Sequence, residues 1–240
     1  MDLLAHVITL RSRPDRADHA LDAATRMNLK YTLELVDRHA NPAQGCFNSH
    51  VDAIRKGARF ILEDDFEPTD EFFTPRGRDA LKEVYEFVTN TRGWDIMYLG
   101  FFPDILYSSS QRAGKQIYKI KSWSCTQAYV ISDEFAERVK TWTWNGEPID
   151  VRYRCANSFS VHPQLVKQYD SPSDIRQQGW SHPLIRDMPQ AFASWWAMHV
   201  GMPMTHIGFG LVVMCILYIV TQSHTTIAKS VVRKSLKNSK

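Results

Sequence analysis

Short apolar runs alternate along most of the chain with stretches in which apolar residues recur every three or four positions. The apolar runs, typical of buried strands, occupy residues 3–10, 31–36, 60–62, 94–99 and 127–131. The stretches with helical spacing occupy residues 15–27, 47–56 (with Gly57 as the expected C-terminal stop) and 79–88, and Ser132 marks the N-cap of a further helix. The polar residues 103–122 are expected to be rich in loops. This alternation predicts an α/β fold, a sheet covered by helices.

The C-terminal part of the chain has a different pattern, because residues 188–228 contain no charged side chain. A transmembrane helix needs about 20 mostly apolar residues, and residues 204–223 supply that length. We therefore predict a C-terminal membrane-associated helix rather than a buried core helix, followed by a basic tail, residues 229–240, that can bind anionic headgroups. Two topologies fit this pattern: a tail anchor with a cytosolic body, or a re-entrant hairpin whose first leg is residues 191–200.

The net charge of +3 is concentrated in that tail, which holds five basic and no acidic residues. Without the tail, 24 basic residues stand against 26 acidic ones, so the body is not a polycation and nucleic-acid binding is not expected.

The four cysteines are widely spaced and form no C-x-x-C pair, which matches neither a disulfide framework nor a zinc signature. Without a signal-peptide pattern or an Asn-x-Ser/Thr sequon, the body is expected to be cytosolic.

The first candidate for chemistry is the acidic triplet Glu63-Asp64-Asp65, which directly follows a predicted buried strand. Ligands gather at the ends of strands in open α/β sheets. Carboxylate oxygens there can hold a divalent cation that offsets the charge of a departing nucleoside diphosphate. The alternative is a solvated turn or a helix cap.

Five further segments accompany this triplet in sequence order. They are residues 6–10 followed by Arg11, Arg13 and Arg16; Gly-Cys-Phe-Asn-Ser-His at 45–50; Thr-Gln-Ala-Tyr-Val-Ile-Ser at 126–132; Pro-Ile-Asp at 148–150; and residues 162–168 with 173–175. Together with the triplet, these blocks resemble those of glycosyltransferase family 25, which includes lipooligosaccharide and collagen galactosyltransferases. The resemblance covers roughly residues 4–175 and leaves the apolar C-terminal segment unexplained.

The resemblance implies a GT-A-type nucleotide-sugar-binding fold, a nucleotide-activated donor that is often a UDP-hexose, usually Mn²⁺ (or Mg²⁺), and transfer to a hydroxyl with inversion at the anomeric carbon. We accordingly divide the chain into a glycosyltransferase domain at residues 1–187, a membrane-embedded segment at 188–228 and the tail at 229–240.

Roles for the carboxylates follow from this assignment. Asp65 is the first candidate for the metal ligand, and Glu63 is the second, contacting metal or ribose; Asp64 is the alternative residue that points at the site. An acceptor alcohol needs a general base to remove its proton, and Asp150 is the candidate. The alternative role for Asp150 is a helix N-cap.

The remaining candidates contact the nucleotide. Arg11 and Arg16 are expected to bind phosphates through their guanidinium groups, and Ser49 and His50 to meet the nucleotide at the start of a helix. His50 can equally be a satisfied structural histidine. His162 could be a third metal ligand or an ordinary residue at a strand end.

The sequence thus predicts a membrane-associated glycosyltransferase that moves a hexose, galactose or glucose, from a nucleotide diphosphate sugar to a hydroxyl of a glycan, lipid-linked or protein acceptor. One alternative is a non-catalytic, membrane-tethered nucleotide-binding module with the same fold. The other is an enzyme that hydrolyses or transfers the nucleotide portion at the same metal diphosphate site.

Overall fold

The strands of the body largely follow the predicted alternation. The computed structural model describes residues 4–103 and 109–169, together with residues 196, 199, 200, 207, 210 and 214. Its strands are β1 (Ala5–Leu10), β2 (Tyr31–Val36), β3 (Phe60–Glu63), β4 (Phe66–Pro68), β5 (Ile96–Pro103), β6 (Ser109–Arg112), β7 (Ile117–Lys121), β8 (Trp123–Ile131), β9 (Ser158–Val161) and β10 (Val166–Gln168). All five predicted strands are present.

Five helices are described, and in three of them a capping side chain, rather than the apolar period, marks the start. They are α1 (Pro14–Arg26), α2 (Pro42–Arg55), α3 (Pro75–Asn90), α4 (Asp133–Lys140) and α5 (Ile149–Arg152), with 3-10 turns at Asp70–Phe73 and Tyr153–Cys155. The side chain of Asn41 accepts from the N–H of Gln44 at the start of α2, and Thr74 accepts from Gly77 at the start of α3. Both helices therefore start before the predicted residues 47 and 79.

Eight strands form one mixed sheet in the order β2-β1-β3-β8-β5-β9-β7-β6. The strands β2, β1 and β3 are mutually parallel, whereas β8 runs antiparallel to both of its neighbours, β3 and β5. A second, two-stranded sheet pairs β10 with β4 in antiparallel fashion. The fold is therefore the predicted α/β class with a mixed sheet.

The prediction of loops at residues 103–122 was wrong in part, because this region contains the hairpin of β6 and β7. The residues of β6 are polar because the strand forms the edge of the sheet and is half-buried or exposed. Ile117 and Ile120 on β7 are buried against the sheet. A polar edge strand lacks the apolar run that identifies a buried strand in the sequence.

Each face of the large sheet is covered by one apolar layer. On one face, α1 and α3 pack through small side chains such as Ala20, Ala24 and Ala80. On the other face, α2 and α4 pack through larger ones such as Phe47 and Phe135. The two layers pack against the faces of the sheet and so position the side chains at the strand ends.

The predicted membrane segment, residues 188–228, and the tail, residues 229–240, lie outside the described residues apart from six positions within the segment. Over the part of the chain that is described, no helix combines the length and the apolar character needed to cross a bilayer. The proposed division of the chain at residue 187 therefore stays a prediction.

Candidate functional site

A cavity of about 380 Å³ opens at the carboxyl ends of β1 and β3. Its walls come from the ends of β1, β2 and β3, from the first half of α2, from β8 near Cys125 and from the start of α5. Most of the residues predicted for the site line this one cavity. They are Arg16, Ser49, His50, Glu63, Asp65 and Asp150.

Asp64 is held by donors on two sides. Its Oδ2 accepts from the hydroxyl of Thr9 at 2.8 Å and from the N–H of Leu10 at 3.4 Å, while its Oδ1 accepts from Arg16 at 2.8 Å. Because the residue is 6% exposed and its bonds tie β1, α1 and the end of β3 together, Asp64 fixes the geometry of the triplet. These contacts favour a positioning role over the alternative role of cation ligand.

Asp65 lies beside it with a different set of contacts. Its Oδ2 accepts from the side-chain amide of Gln168 at 2.9 Å and lies 3.6 Å from Arg16. Its Oδ1 is buried and has no hydrogen-bond partner among the described residues. Burial raises the pKa of Asp65 to about 7, with the negative charge of Glu63 acting in the same direction. A buried carboxylate oxygen without a donor is the arrangement expected of a cation ligand.

Glu63 ends β3 and receives two hydrogen bonds on the same oxygen. His50 Nε2 lies 3.2 Å from Oε1, and the hydroxyl of Thr126 donates to Oε1 as well. Burial by itself raises the pKa of Glu63, but the hydrogen bonds from His50 and Thr126 and the charge of Arg16 outweigh it and lower the pKa. Glu63 is therefore ionised while its neighbour Asp65 retains a proton up to near neutral pH.

His50 is fully buried and forms the start of a chain of polar groups. Its Nδ1 lies 2.8 Å from the hydroxyl of Tyr129, which lies 3.0 Å from the hydroxyl of Tyr153. Since an ionised Glu63 can only accept, Nε2 donates to it, and the hydroxyl of Tyr129 lies within hydrogen-bond distance of Nδ1. The structural role considered for His50 is thus present, and it orients Glu63 at the cavity wall.

Asp150 also lines the cavity and lies in the first turn of α5. The N-cap position is occupied by Pro148, so the N-cap role considered for Asp150 was wrong. Its Oδ1 accepts from the N–H of Val151 at 2.9 Å. Burial raises the pKa of Asp150, against hydrogen bonds from the backbone of Val151 and Cys125 and the charge of Arg154. A raised pKa brings a carboxylate closer to the range useful for a general base.

Other predicted residues lie elsewhere or have other contacts. Arg11 is outside the cavity lining, 60% exposed, and pairs with Asp37 at 3.3 Å. Ser49 lines the cavity, but its hydroxyl donates back to the carbonyl of Gly45 in the preceding turn. His162 is not part of the lining; its ring packs edge-on against Tyr118, and burial lowers its pKa to about 4.

Several residues of the site were missed by sequence reasoning. Thr126 and Gln168 lay within the quoted blocks, yet nothing in the blocks indicated that they would donate to Glu63 and Asp65. Tyr129 sits inside an apolar strand and looks like a core residue in the sequence. Its contact with His50 depends on the antiparallel register of β3 with β8, where Ile61 pairs with Tyr129.

Comparisons with known proteins give little further information. No protein-family model and no curated protein matches the chain. Among solved structures, it is similar to A197 from STIV, with 15% identity over 72% of this chain and 87% of that chain and a TM-score of 0.40.

Two further structures match at the same level. They are the inositol-1-phosphate CTP transferase of T. maritima, with 13% identity over 70% of this chain and 71% of that chain and a TM-score of 0.40, and an apo UDP-glucose pyrophosphorylase, with 10% identity over 70% and 76% and a TM-score of 0.40. Likenesses this distant do not identify an activity, so the function must be inferred from the cavity itself.

Proposed function

We propose that this chain is a metal-dependent, inverting glycosyltransferase related to family 25, with a GT-A-type fold. It moves a hexose, galactose or glucose, from a UDP-linked donor to a hydroxyl of a glycan, lipid-linked or protein acceptor. In the same proposal, residues 188–228 associate with the membrane and the body is cytosolic.

The main support is that all six sequence blocks contribute to one cavity, although they are spread over most of the body. The contributing residues are Leu10 and Arg16; Gly45, Cys46, Ser49 and His50; Glu63, Asp64 and Asp65; Thr126; Pro148, Ile149 and Asp150; and Gln168. Blocks that were similar by chance would have no reason to converge on one place. Their convergence supports a shared ligand site.

The residues present fit a divalent cation such as Mn²⁺. Asp65 would hold it through Oδ1, the buried oxygen without a hydrogen-bond partner among the described residues. Glu63 would be the second ligand, because both of its hydrogen bonds fall on Oε1 and the described residues place none on Oε2. When bound, the cation supplies positive charge that offsets the charge of the departing diphosphate.

The protein's own groups prepare the donor side of the cavity. Arg16 is fixed by its ion pair with Asp64 at 2.8 Å, so its guanidinium keeps a positive charge beside Asp65 without needing to reorganise. Gln168 holds Oδ2 of Asp65, which leaves Oδ1 for the cation. These contacts orient the metal ligand before the nucleotide arrives.

Asp150 serves the acceptor side. Its carboxylate takes the proton of the acceptor hydroxyl while that oxygen forms a bond to the anomeric carbon and the bond from this carbon to the diphosphate oxygen breaks. The backbone N–H groups of Val151 and Cys125 hold the carboxylate in place. Attack from the face opposite the diphosphate inverts the configuration at the anomeric carbon.

The test is an assay of the purified full chain in detergent with a panel of nucleotide sugars, Mn²⁺ and hydroxyl acceptors. We expect release of the nucleoside diphosphate from one donor, dependent on Mn²⁺ and accelerated by an acceptor. Nucleotide binding without turnover would support the non-catalytic module instead. Consumption of a nucleoside triphosphate with a sugar phosphate, and release of pyrophosphate, would show nucleotidyl transfer and overturn the proposal.

A further inference from the structure

A second group of potential metal ligands lies in the wall of the cavity, next to the proposed Mn²⁺ site. The ligand atoms of Cys46, His50 and Glu63 all lie within 4.8 Å of one another. Cys46 and His50 are four residues apart on α2, so both side chains lie on the same face of the helix. Cys46 is a free thiol, and Glu63 is contributed by the end of β3.

The spacing of these atoms suits a tetrahedral zinc ion. In such a site, a nitrogen ligand and an oxygen ligand at their usual bond lengths lie about 3.3 Å apart. The distance from His50 Nε2 to Glu63 Oε1 is 3.2 Å. Binding of zinc to both atoms therefore requires little change in the distance between them.

The surrounding hydrogen bonds also suit a metal-bound histidine. When Nε2 binds a metal, the proton of the neutral ring moves to Nδ1, which then needs an acceptor. The hydroxyl of Tyr129 lies 2.8 Å from Nδ1 and can accept, since it can in turn donate to Tyr153 at 3.0 Å. The hydroxyl of Thr126 already donates to Glu63 and orients its carboxylate.

We propose that Cys46, His50 and Glu63 form a zinc site whose fourth position is open to the cavity. Three protein ligands with one open position is the arrangement found where zinc contacts a water molecule or a substrate. A thiolate and an imidazole favour zinc over manganese, whereas Asp65 offers only oxygen. The two cations therefore prefer different parts of the wall and share Glu63.

Because Glu63 is shared, zinc binding should affect Mn²⁺ binding; this expectation rests on the proposed function. A zinc ion on Oε1 of Glu63 neutralises part of the negative charge of the carboxylate whose Oε2 would hold Mn²⁺, and it places a second positive charge beside that cation. Zinc at this site should therefore weaken the binding of Mn²⁺ and of the nucleotide. The zinc site itself does not depend on whether the protein transfers a sugar.

The binding test uses Co²⁺ as a spectroscopic substitute for zinc on the metal-free full chain. We expect a thiolate-to-cobalt charge-transfer band and the visible bands of tetrahedral cobalt, both removed by stoichiometric Zn²⁺. Cys46→Ser should abolish the thiolate band and weaken zinc binding by more than about 10-fold, because changes even in the outer contacts of a metal site cost about that much. A matched control is Cys155→Ser, which removes an exposed thiol and should leave the thiolate band and the affinity for zinc unchanged.

Two more variants distinguish the zinc site from the proposed Mn²⁺ site, and a loss of zinc binding from a loss of folding. Asp65→Asn should keep the cobalt spectrum while losing Mn²⁺ binding. Tyr129→Phe should keep the thiolate band and bind zinc more weakly, with circular dichroism confirming that each variant is folded. Absence of a thiolate band in the wild-type protein, or its persistence in Cys46→Ser, would overturn the zinc site, whatever the outcome of the sugar-transfer assay.

Discussion

At the scale of single residues, the cavity contains two neighbouring carboxylates, Glu63 and Asp65, whose pKa values are shifted in opposite directions. Glu63 has a lowered pKa because hydrogen bonds and the charge of Arg16 outweigh its burial. Asp65 has a pKa raised to about 7 by burial and by the charge of Glu63. Asp65 therefore keeps part of its proton near neutral pH, and a bound cation would favour its ionised form.

The first prediction concerns cation binding. Asp65→Asn removes the buried anionic oxygen, and we expect the affinity for Mn²⁺ to fall by more than about 100-fold, since outer-shell changes alone cost about 10- to 100-fold. Titration of Mn²⁺ followed by electron paramagnetic resonance measures this directly. Asp150→Asn is the matched control and should bind Mn²⁺ like the wild type. Equal affinity in the two variants would show that Asp65 is not the ligand.

The second prediction concerns the base. Asp150→Asn keeps the size of the side chain but cannot take a proton, so turnover should fall by about 10² to 10⁴. Donor binding, measured by calorimetry with Mn²⁺ and the nucleotide sugar, should stay within about twofold, since even a single lost kcal/mol is a fivefold change. A variant that loses donor binding as well would place Asp150 on the donor side instead.

The third prediction concerns pH. A carboxyl group has a pKa of about 3.9 in the unfolded chain, whereas that of Asp65 in the folded protein is about 7. Because the folded state binds this proton more tightly, its stabilising contribution is complete below pH of about 4 and is lost as the pH rises through about 7. The free energy of unfolding of the metal-free wild type should therefore fall relative to Asp65→Asn across this range.

Urea denaturation of both proteins at several pH values measures this difference. Saturating Mn²⁺ should reverse the trend in the wild type, because the cation binds the ionised form. A difference between the two proteins that stays constant with pH would contradict the raised pKa.

The residues of the site could be predicted only as far as their chemistry is visible in local patterns. The acidic triplet was found because it follows a short apolar run, and Asp150 because it ends the Pro-Ile-Asp block of the family resemblance. Asp65 was the first candidate for the cation ligand, but the hydrogen bonds from Thr9 and Arg16 that hold Asp64 could not be predicted. Those contacts depend on the packing of α1 and on sheet register, which single positions in a sequence do not encode.

At the scale of elements, local signals placed most boundaries correctly. Ser132 accepts from the N–H of Phe135 as the predicted N-cap of α4. Gly57 has a φ of 101° after the end of α2, as expected of a residue that stops a helix. The hairpin of β6 and β7 was missed because its outer strand is polar, and the early starts of α2 and α3 were missed because apolar periodicity was preferred to caps.

The fourth prediction concerns the close approach of β5 and β10. A Cβ added to Gly100 would lie 1.9 Å from the carbonyl oxygen of Val166, and a backbone atom cannot move out of the way alone. Gly100→Ala should therefore displace β10 and destabilise the protein by about 1 to 3 kcal/mol. Since Gln168 belongs to β10, its bond to Asp65 should weaken too, and Mn²⁺ affinity should fall.

Urea denaturation and the Mn²⁺ titration together check this prediction. Gln111→Ala, on the exposed edge strand β6, is the control and should change stability by less than about 0.5 kcal/mol. Unchanged stability in Gly100→Ala would mean that β10 does not pack against β5 as described.

At the scale of the whole molecule, one sheet brings groups from distant parts of the chain together at the cavity. The fifth prediction concerns the association of the uncharged segment at residues 188–228 with a membrane. The full chain should co-sediment with vesicles that contain anionic lipids, and a chain ending at residue 187 should not, while nucleotide and Mn²⁺ binding stay the same in both. Binding of the shortened chain to the vesicles would place the membrane contact on the body.

The small sheet of β4 and β10 brings Tyr169 next to the acidic triplet. The backbone N–H of Tyr169 donates to the carbonyl oxygen of Asp65 at 2.6 Å, so Tyr169 lies beside the proposed cation site. The 18 residues from 170 to 187 can cover at most about 60 Å when fully extended. If the segment at residues 188–228 is embedded in a bilayer, this connection keeps the cavity near the membrane surface. A lipid-linked acceptor would then meet the cavity at an effective concentration set by the length of the connection rather than by diffusion through bulk solvent.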